Sequence, residues 1–277
     1  MPAAARVPVP VASGARPAIL LSFDAEEFDV PVELGQGMAM DQQMAVGREG
    51  MVRTLDLLDA LGTELGTPVI STFFCTATFA QHCPELILRA AAAGHEIASH
   101  GWRHTGWDNA DLLASRLELE RITGRPVAGF RRSRLAETDR GAIAAAGYRY
   151  NSSENPTWLP GRYNRMFKPR LPYRTGELLN IPASATPVVR FPLFWLSLKA
   201  FPLWVNRLAT RAVLWRDPAV VLYFHPWELC EMDGFRVPGP VRRCCGKQMT
   251  DRLATHIRWL AGQGRFTTYA EFAASAG

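Results

Sequence analysis

Several apolar runs of this chain end in residues able to do hydrolytic chemistry. "AILLSF" (18–23) is followed at once by Asp24, Glu26, Glu27 and Asp29. "HEIAS" (95–99) runs into His100 and, four residues on, His104; "VAGFR" (127–131) ends in Arg131; and "VVLYF" (220–224) is followed by His225. Two imidazoles four residues apart can face one point if a helix or tight turn begins there. With one carboxylate they form a competent site for a divalent metal that keeps positions open for water and substrate. Taken singly these features are weak, because an acidic pair after a strand is usually a cap and a histidine before proline usually a packing residue. Their joint occurrence at strand ends makes metal binding the stronger reading. His95 begins its run rather than ending it and reads as structural, and His82 and His256 fall in helical stretches, where surface or packing roles suffice.

The elements that must position these groups can be read from periodicity. Strand-like runs lie at 18–23, 69–74, 95–99, 127–131, 148–152, 178–183 and 220–224. Helical stretches separate them. One runs from Gly50 to Leu61 with Met51, Leu55, Leu58 and Leu61 on one face, and another starts near Cys83 with Pro84 at its first position. "DNADLLASRLELERITG" opens with an Asp/Asn cap and stops at Gly124, and "TDRLATHIRWLAGQG" is capped by Thr250 or Asp251. Alternating strands and helices imply parallel strands with helices outside, as an α/β barrel or a doubly wound sheet. In such folds reactive groups gather in loops beyond the carboxyl ends of the strands, where Asp24, His100, Arg131 and His225 fall.

Composition narrows the partners. A formal charge of +5 over 277 residues is only mildly basic, and no Lys/Arg block of nucleic-acid type occurs, so nucleic-acid binding is not expected. Five cysteines without a Cys-x-x-Cys pair point away from a disulfide framework or a cysteine zinc site and fit a reducing, cytoplasmic compartment. "MPAAARVPVPVASGARPA" lacks the apolar core of a signal peptide and reads as a flexible Pro/Ala-rich leader over 1–17, followed by one catalytic domain over 18–277. No uninterrupted apolar run is long enough for a transmembrane helix.

Two regions bear on what is bound. "YNSSENPTWLPGRYNR" (150–165) is a polar, aromatic, turn-rich loop; its Asn151, Trp158 and Tyr163 suit hydrogen-bonding and stacking of a sugar, or it is an ordinary surface loop. The segment 190–216 mixes Phe191, Phe194, Trp195, Phe201, Trp204 and Trp215 with Arg190, Lys199, Arg207, Arg211 and Arg216. It suits packing on the barrel or on a partner subunit of a homo-oligomer, or peripheral contact with the inner face of a membrane.

In their order, "SFDAEEFD", "SHGWRHT", "GFRRSRL" and "YFHPWE" resemble the motifs of the polysaccharide deacetylases of carbohydrate esterase family 4, from about Ile19 to Phe272. The resemblance implies a distorted (β/α) barrel of about seven parallel strands and a metal-dependent hydrolase of carbon–nitrogen bonds other than peptide bonds, acting on an N-acylated amino sugar. It also implies roles: Asp24 as catalytic base, Glu26, His100 and His104 as metal ligands, Arg131 to keep Asp24 ionised, and His225 as general acid. Trp227 of "YFHPWE" joins Asn151, Trp158 and Tyr163 as a substrate contact. Zinc is the first expectation for the metal, with cobalt, nickel, iron and manganese also suited. The commonest family pattern has two adjacent aspartates where this chain has Asp-x-Glu, which leaves Glu27 as the alternative carboxylate ligand. "HGWRH" is also similar to a segment of cyclic-amide hydrolases of the allantoinase kind, and a sugar-binding module without activity is a further alternative. A two-histidine iron oxygenase shares the ligand types, but its usual all-β scaffold conflicts with the alternation.

Overall fold

The computed structural model describes residues 7–8 and 16–276. Seven parallel strands build its centre: β1 (Ala18–Ala25), β2 (Thr72–Cys75), β3 (Glu96–Ser99), β4 (Gly129–Phe130), β5 (Tyr150–Asn151), β6 (Leu178–Asn180) and β7 (Ala219–Phe224). They lie in the order β6-β5-β4-β3-β2-β1-β7, and each neighbouring pair is parallel. Each coincides with one of the seven runs read from the sequence, several of them shorter. Antiparallel Tyr173–Thr175 borders β6, and Arg265–Phe266 pairs with β1. The sheet curls until its outer strands nearly meet: just past β6, Ser184 donates its backbone N–H to Val221 O at 3.0 Å, and its hydroxyl accepts from Val221 N. The result is the distorted (β/α) barrel that the motifs imply.

Burial on both faces explains why β1 and β7 read as continuous apolar runs. Alternation along β1 sorts its side chains. Leu20 packs inside with Phe74, Tyr150 and Tyr269, whereas Ile19, Leu21 and Phe23 belong to the outer core beneath the helices. Ser22 and Asp24 share the inner face with Leu20, since side chains two apart point the same way.

The outer helices include α1 (Met40–Leu65), α2 (Pro84–Ala92), α3 (Asp111–Thr123), α4 (Leu203–Leu214) and α5 (Lys247–Ala261). Three boundaries depart from the sequence expectation. α3 begins at Asp111 with Ala110, not an Asp or Asn, at its N-cap, and no side chain caps it. α1 starts at Met40 rather than near Gly50, and α5 starts at Lys247, so Thr250 lies inside the helix with its hydroxyl on Gly246 O instead of capping it. Gly47 and Gly50 disguise the first half of α1. A Cβ on Gly47 would come within 2.6 Å of Glu26 O, and one on Gly50 within 2.5 Å of Pro226 C. Glycine therefore lets the helix lie directly on the two backbone segments that carry the first and last motifs. The expected leader over 1–17 falls mainly outside the described residues. Among the described residues, no helix is long and apolar enough to cross a membrane.

Candidate metal centre and active site

Asp24 ends the inner face of β1 and meets Arg131, which directly follows β4. Asp24 Oδ1 accepts from Arg131 Nη1 at 2.6 Å, with both side chains buried. All five guanidinium N–H groups of Arg131 have partners. Nη1 also donates to Ser22 Oγ at 3.0 Å, Nη2 to Tyr269 Oη at 2.9 Å and Ser152 Oγ at 3.2 Å, and Nε to Ser152 O at 3.2 Å. The cation also sits 3.9 Å over the Phe74 ring. Burial works to raise the pKa of Asp24, but Arg131, aided by His100 and His225, outweighs it and holds the carboxyl below its ordinary value. Arg131 thus acts through Asp24 from beneath the site.

Glu26 lies two residues on. Its Oε2 is 3.2 Å from His100 Nε2 and 3.4 Å from His104 Nε2, and the three donor groups lie within 4.8 Å of one another. Glu26 Oε2 is buried and has no hydrogen-bond partner. Burial pushes the carboxyl up to about 8, against the pull of His104 and His225. His100 is driven down to about 4 by burial, which favours the neutral imidazole that ligates metals. An orphaned buried carboxylate oxygen facing two imidazole nitrogens fits a divalent cation.

The segment that carries the histidines is neither a helix nor a tight turn. His100 extends the ladder by donating its N–H to Cys75 O at 2.8 Å, the chain turns at Gly101 with φ +90°, and irregular backbone brings His104 back beside His100 with ring centroids 5.8 Å apart. Two acids hold this loop. Glu27 Oε1 accepts the His104 N–H at 2.8 Å while its other oxygen accepts from Thr76 Oγ1 at 2.7 Å, so Glu27 does not reach the cluster. Asp29 Oδ1 lies 2.8 Å from His104 Nδ1 and Glu33 Oε1 lies 3.2 Å from it, which keeps the proton on Nδ1 and leaves Nε2 free to ligate. Burial disfavours protonated His104, but Glu26, Asp29 and Glu33 together raise its pKa well above the usual histidine value.

His225 enters from the end of β7, its Nε2 4.0 Å from Asp24 Oδ2. Glu228 Oε1 takes both its Nδ1 contact, at 3.0 Å, and its backbone N–H, at 2.8 Å. Behind Glu228 lies Lys199 Nζ, 3.1 Å away, with both residues almost wholly buried. Burial favours the neutral carboxyl, yet Lys199 and His225 hold the pKa of Glu228 below its ordinary value. Trp227 stacks on His225 at 5.0 Å, and Trp195 meets it edge-on at 5.2 Å. Glu228 and Lys199 were missed from sequence. The i, i+3 spacing of His225 and Glu228 was a local signal, whereas Lys199 had none.

Asp24, Glu26, His100, His104 and His225 line one cleft, together with Tyr163, Leu159, Arg162, Trp195 and Trp227. Not every expected substrate contact reaches it. Tyr163 does. Trp227 lines the cleft, but its Nε1 points to Glu26 Oε1 at 3.3 Å and its side chain is buried. Trp158, on the two-stranded ribbon with Tyr163–Asn164, stands 58% exposed outside the cleft lining. Asn151 is bound to Asn180 Oδ1 at 3.1 Å and accepts from Ser153, in a separate small pocket. Strand parity explains it: Tyr150 and Ser152 face inward, so Asn151 faces away.

Residues 52–150 match the protein-family model described as Polysaccharide deacetylase, a stretch that contains His100, His104 and Arg131. Solved structures match almost the whole chain. A Mycobacterium smegmatis protein assigned to the polysaccharide deacetylases has 17% identity and a TM-score of 0.68 over 99% of this chain and 94% of that one. Puue allantoinase has 21% identity and a TM-score of 0.65 over 97% and 93%. The Bc1960 peptidoglycan N-acetylglucosamine deacetylase, solved with 4-naphthalen-1-yl-N-oxidanyl-benzamide, has 17% identity and a TM-score of 0.50 over 95% and 90%. The family model and the shared fold bear out the resemblance drawn from the motifs.

Proposed function

We propose that this chain, carrying a polysaccharide deacetylase segment on the matching fold, is one catalytic domain over 18–277 that hydrolyses an N-acyl group, N-acetyl foremost, from an amino sugar in a glycan or glycolipid precursor. The observation that carries it is the convergence on one cleft of Asp24, His225 and the Glu26–His100–His104 cluster. Glu26, His100 and His104 would hold a divalent cation, and two imidazoles with one carboxylate favour zinc, with cobalt, nickel, iron and manganese suited to the same donors. Such a cation supplies acidification of water and polarisation of the acyl carbonyl.

The chain's own groups do the rest. Asp24, kept charged by Arg131, takes the proton from the attacking water. His225, across the cleft, gives a proton to the sugar nitrogen as the carbon–nitrogen bond breaks, so that a carboxylate and an amine leave. Glu228 fixes the ring through Nδ1 and stabilises it while it is charged. Tyr163 supplies an aromatic face for the sugar. All five cysteines are free, which supports a reducing, cytoplasmic setting.

The test is product analysis of metal-loaded protein given N-acetylated sugar oligomers and, separately, allantoin. Acetate release from the sugars is expected. Ring opening of allantoin without acetate release would move the reading to a cyclic-amide hydrolase.

A further inference from the structure

α4 has two faces of different character. Asn206, Ala209, Thr210 and Val213 are buried against the barrel. On the opposite side Trp204 is 66% exposed, Leu208 62% and Trp215, just past the helix end, 80%. With exposed Arg211 these residues fall at i, i+4, i+7 and i+11, a single stripe about 16 Å long. Phe201, 44% exposed, extends the stripe at its amino-terminal end. Large apolar side chains aligned on solvent call for a partner, and the charge around them says which kind.

No acidic residue occurs from 190 through 216, while Arg190, Arg207, Arg211 and Arg216 do; Lys199, the remaining cation of the segment, is buried on Glu228 and adds nothing to this face. The first acid after the segment, Asp217, is buried and paired with Arg170. Arg207 and Arg211 lie beside the Trp259 ring and Arg216 beside Trp215, and among the described residues none of the three is in an ion pair. Indole rings interleaved with unpaired guanidinium groups match the boundary of an anionic bilayer, where rings enter the headgroup region and cations meet lipid phosphates. A second copy of this chain fits less well, because a two-fold contact would press the cationic stripe against its own image.

We propose that this face of α4, with Phe201 and Trp215, docks the protein on an anionic lipid surface. The segment is continuous with the cleft. The short helix Trp195–Ala200 precedes Phe201 and sends Trp195 into the cleft wall, and the Phe201 ring packs edge-on against Phe191 at 5.1 Å. Docking does not rest on the hydrolytic reading. Joined to it, docking makes a lipid-linked amino sugar the substrate class.

Flotation of the full chain with vesicles of phosphatidylglycerol and phosphatidylcholine, against phosphatidylcholine alone, tests the proposal. The expected result is recovery with the anionic vesicles that falls at least about tenfold in the Trp204→Ser/Trp215→Ser double variant and declines as salt is raised. Acetate release from a soluble sugar should be the same in both proteins, which separates failure of docking from failure of catalysis. Absence of flotation, or equal recovery with neutral vesicles, overturns the proposal. So does a wild-type dimer in sedimentation that the double variant converts to monomer, since the occupant would then be a second copy.

Discussion

Glu228 holds His225 at two atoms through a single oxygen, Oε1, which lies 3.0 Å from Nδ1 and accepts the backbone N–H at 2.8 Å. The ring therefore keeps its proton on Nδ1 toward Glu228 and presents Nε2 to the cleft, opposite Asp24. Lys199 behind Glu228 keeps this carboxylate charged in a buried setting. The acid side of the proposed reaction thus depends on residues 26 and 29 positions apart in sequence from Lys199 to His225 and Glu228.

Glu228→Gln should lower kcat about 10- to 100-fold with little change in KM, because the substitution leaves the cleft lining intact but removes the charge that supports protonated His225. It also leaves Lys199 without its carboxylate, which destabilises the fold. Adding Lys199→Met should restore thermal stability without restoring kcat. Steady-state kinetics and melting curves on both variants check this, and recovery of kcat in the double variant would reduce Glu228 to a packing role.

Gly50→Ala should destabilise the protein by about 1–3 kcal/mol. Helix propensity alone predicts the opposite sign, a gain of about 1 kcal/mol. The two outcomes separate cleanly in urea melts. The added methyl would stand 2.5 Å from the Pro226 carbonyl, so the turn carrying His225 and Trp227 must shift and activity should fall as well.

His256 on α5 is buried, stacked 5.7 Å from the Trp259 ring centroid, and its Nδ1 has no partner. Burial, with Arg207 and Arg252 nearby, lowers its pKa from 6.5 to about 4. The unfolded chain therefore binds this proton first as pH falls. Stability from the neutral ring is complete above pH 6.5 and is lost progressively between 6.5 and 4, by about 3 kcal/mol. His95, lowered to about 4 chiefly by its burial, adds a loss of the same sign. In denaturation at pH 7 and pH 4, wild type should lose about 3 kcal/mol more than His256→Phe does.

The strands were legible because burial on both faces leaves short apolar runs, and Asp24, His100, Arg131 and His225 were legible because the barrel brings strand ends together. What escaped did so for physical reasons. The first turns of α1 carry Asp41, Gln42, Gln43, Gly47 and Gly50, a poor helix signal that only close packing on Glu26 and Pro226 explains. Glu27 reads in the sequence as an alternative carboxylate ligand and Asp29 carries no assigned role, yet they grip His104 through its backbone and Nδ1 after a backbone reversal at Gly101. Asn151 turns away from the cleft because side chains alternate along β5, where Tyr150 and Ser152 point inward.

In the proposed reaction Asp24 moves the proton while Glu26, His100 and His104 would hold the cation. Acetate release from an N-acetylated sugar oligomer should be measured alongside bound metal for wild type, Asp24→Asn and His100→Ala. Asp24→Asn is predicted to retain its metal and lose more than about 100-fold in turnover, while His100→Ala loses metal and activity together. Wild-type turnover in Asp24→Asn, or undiminished activity in wild type stripped of metal, would contradict the account.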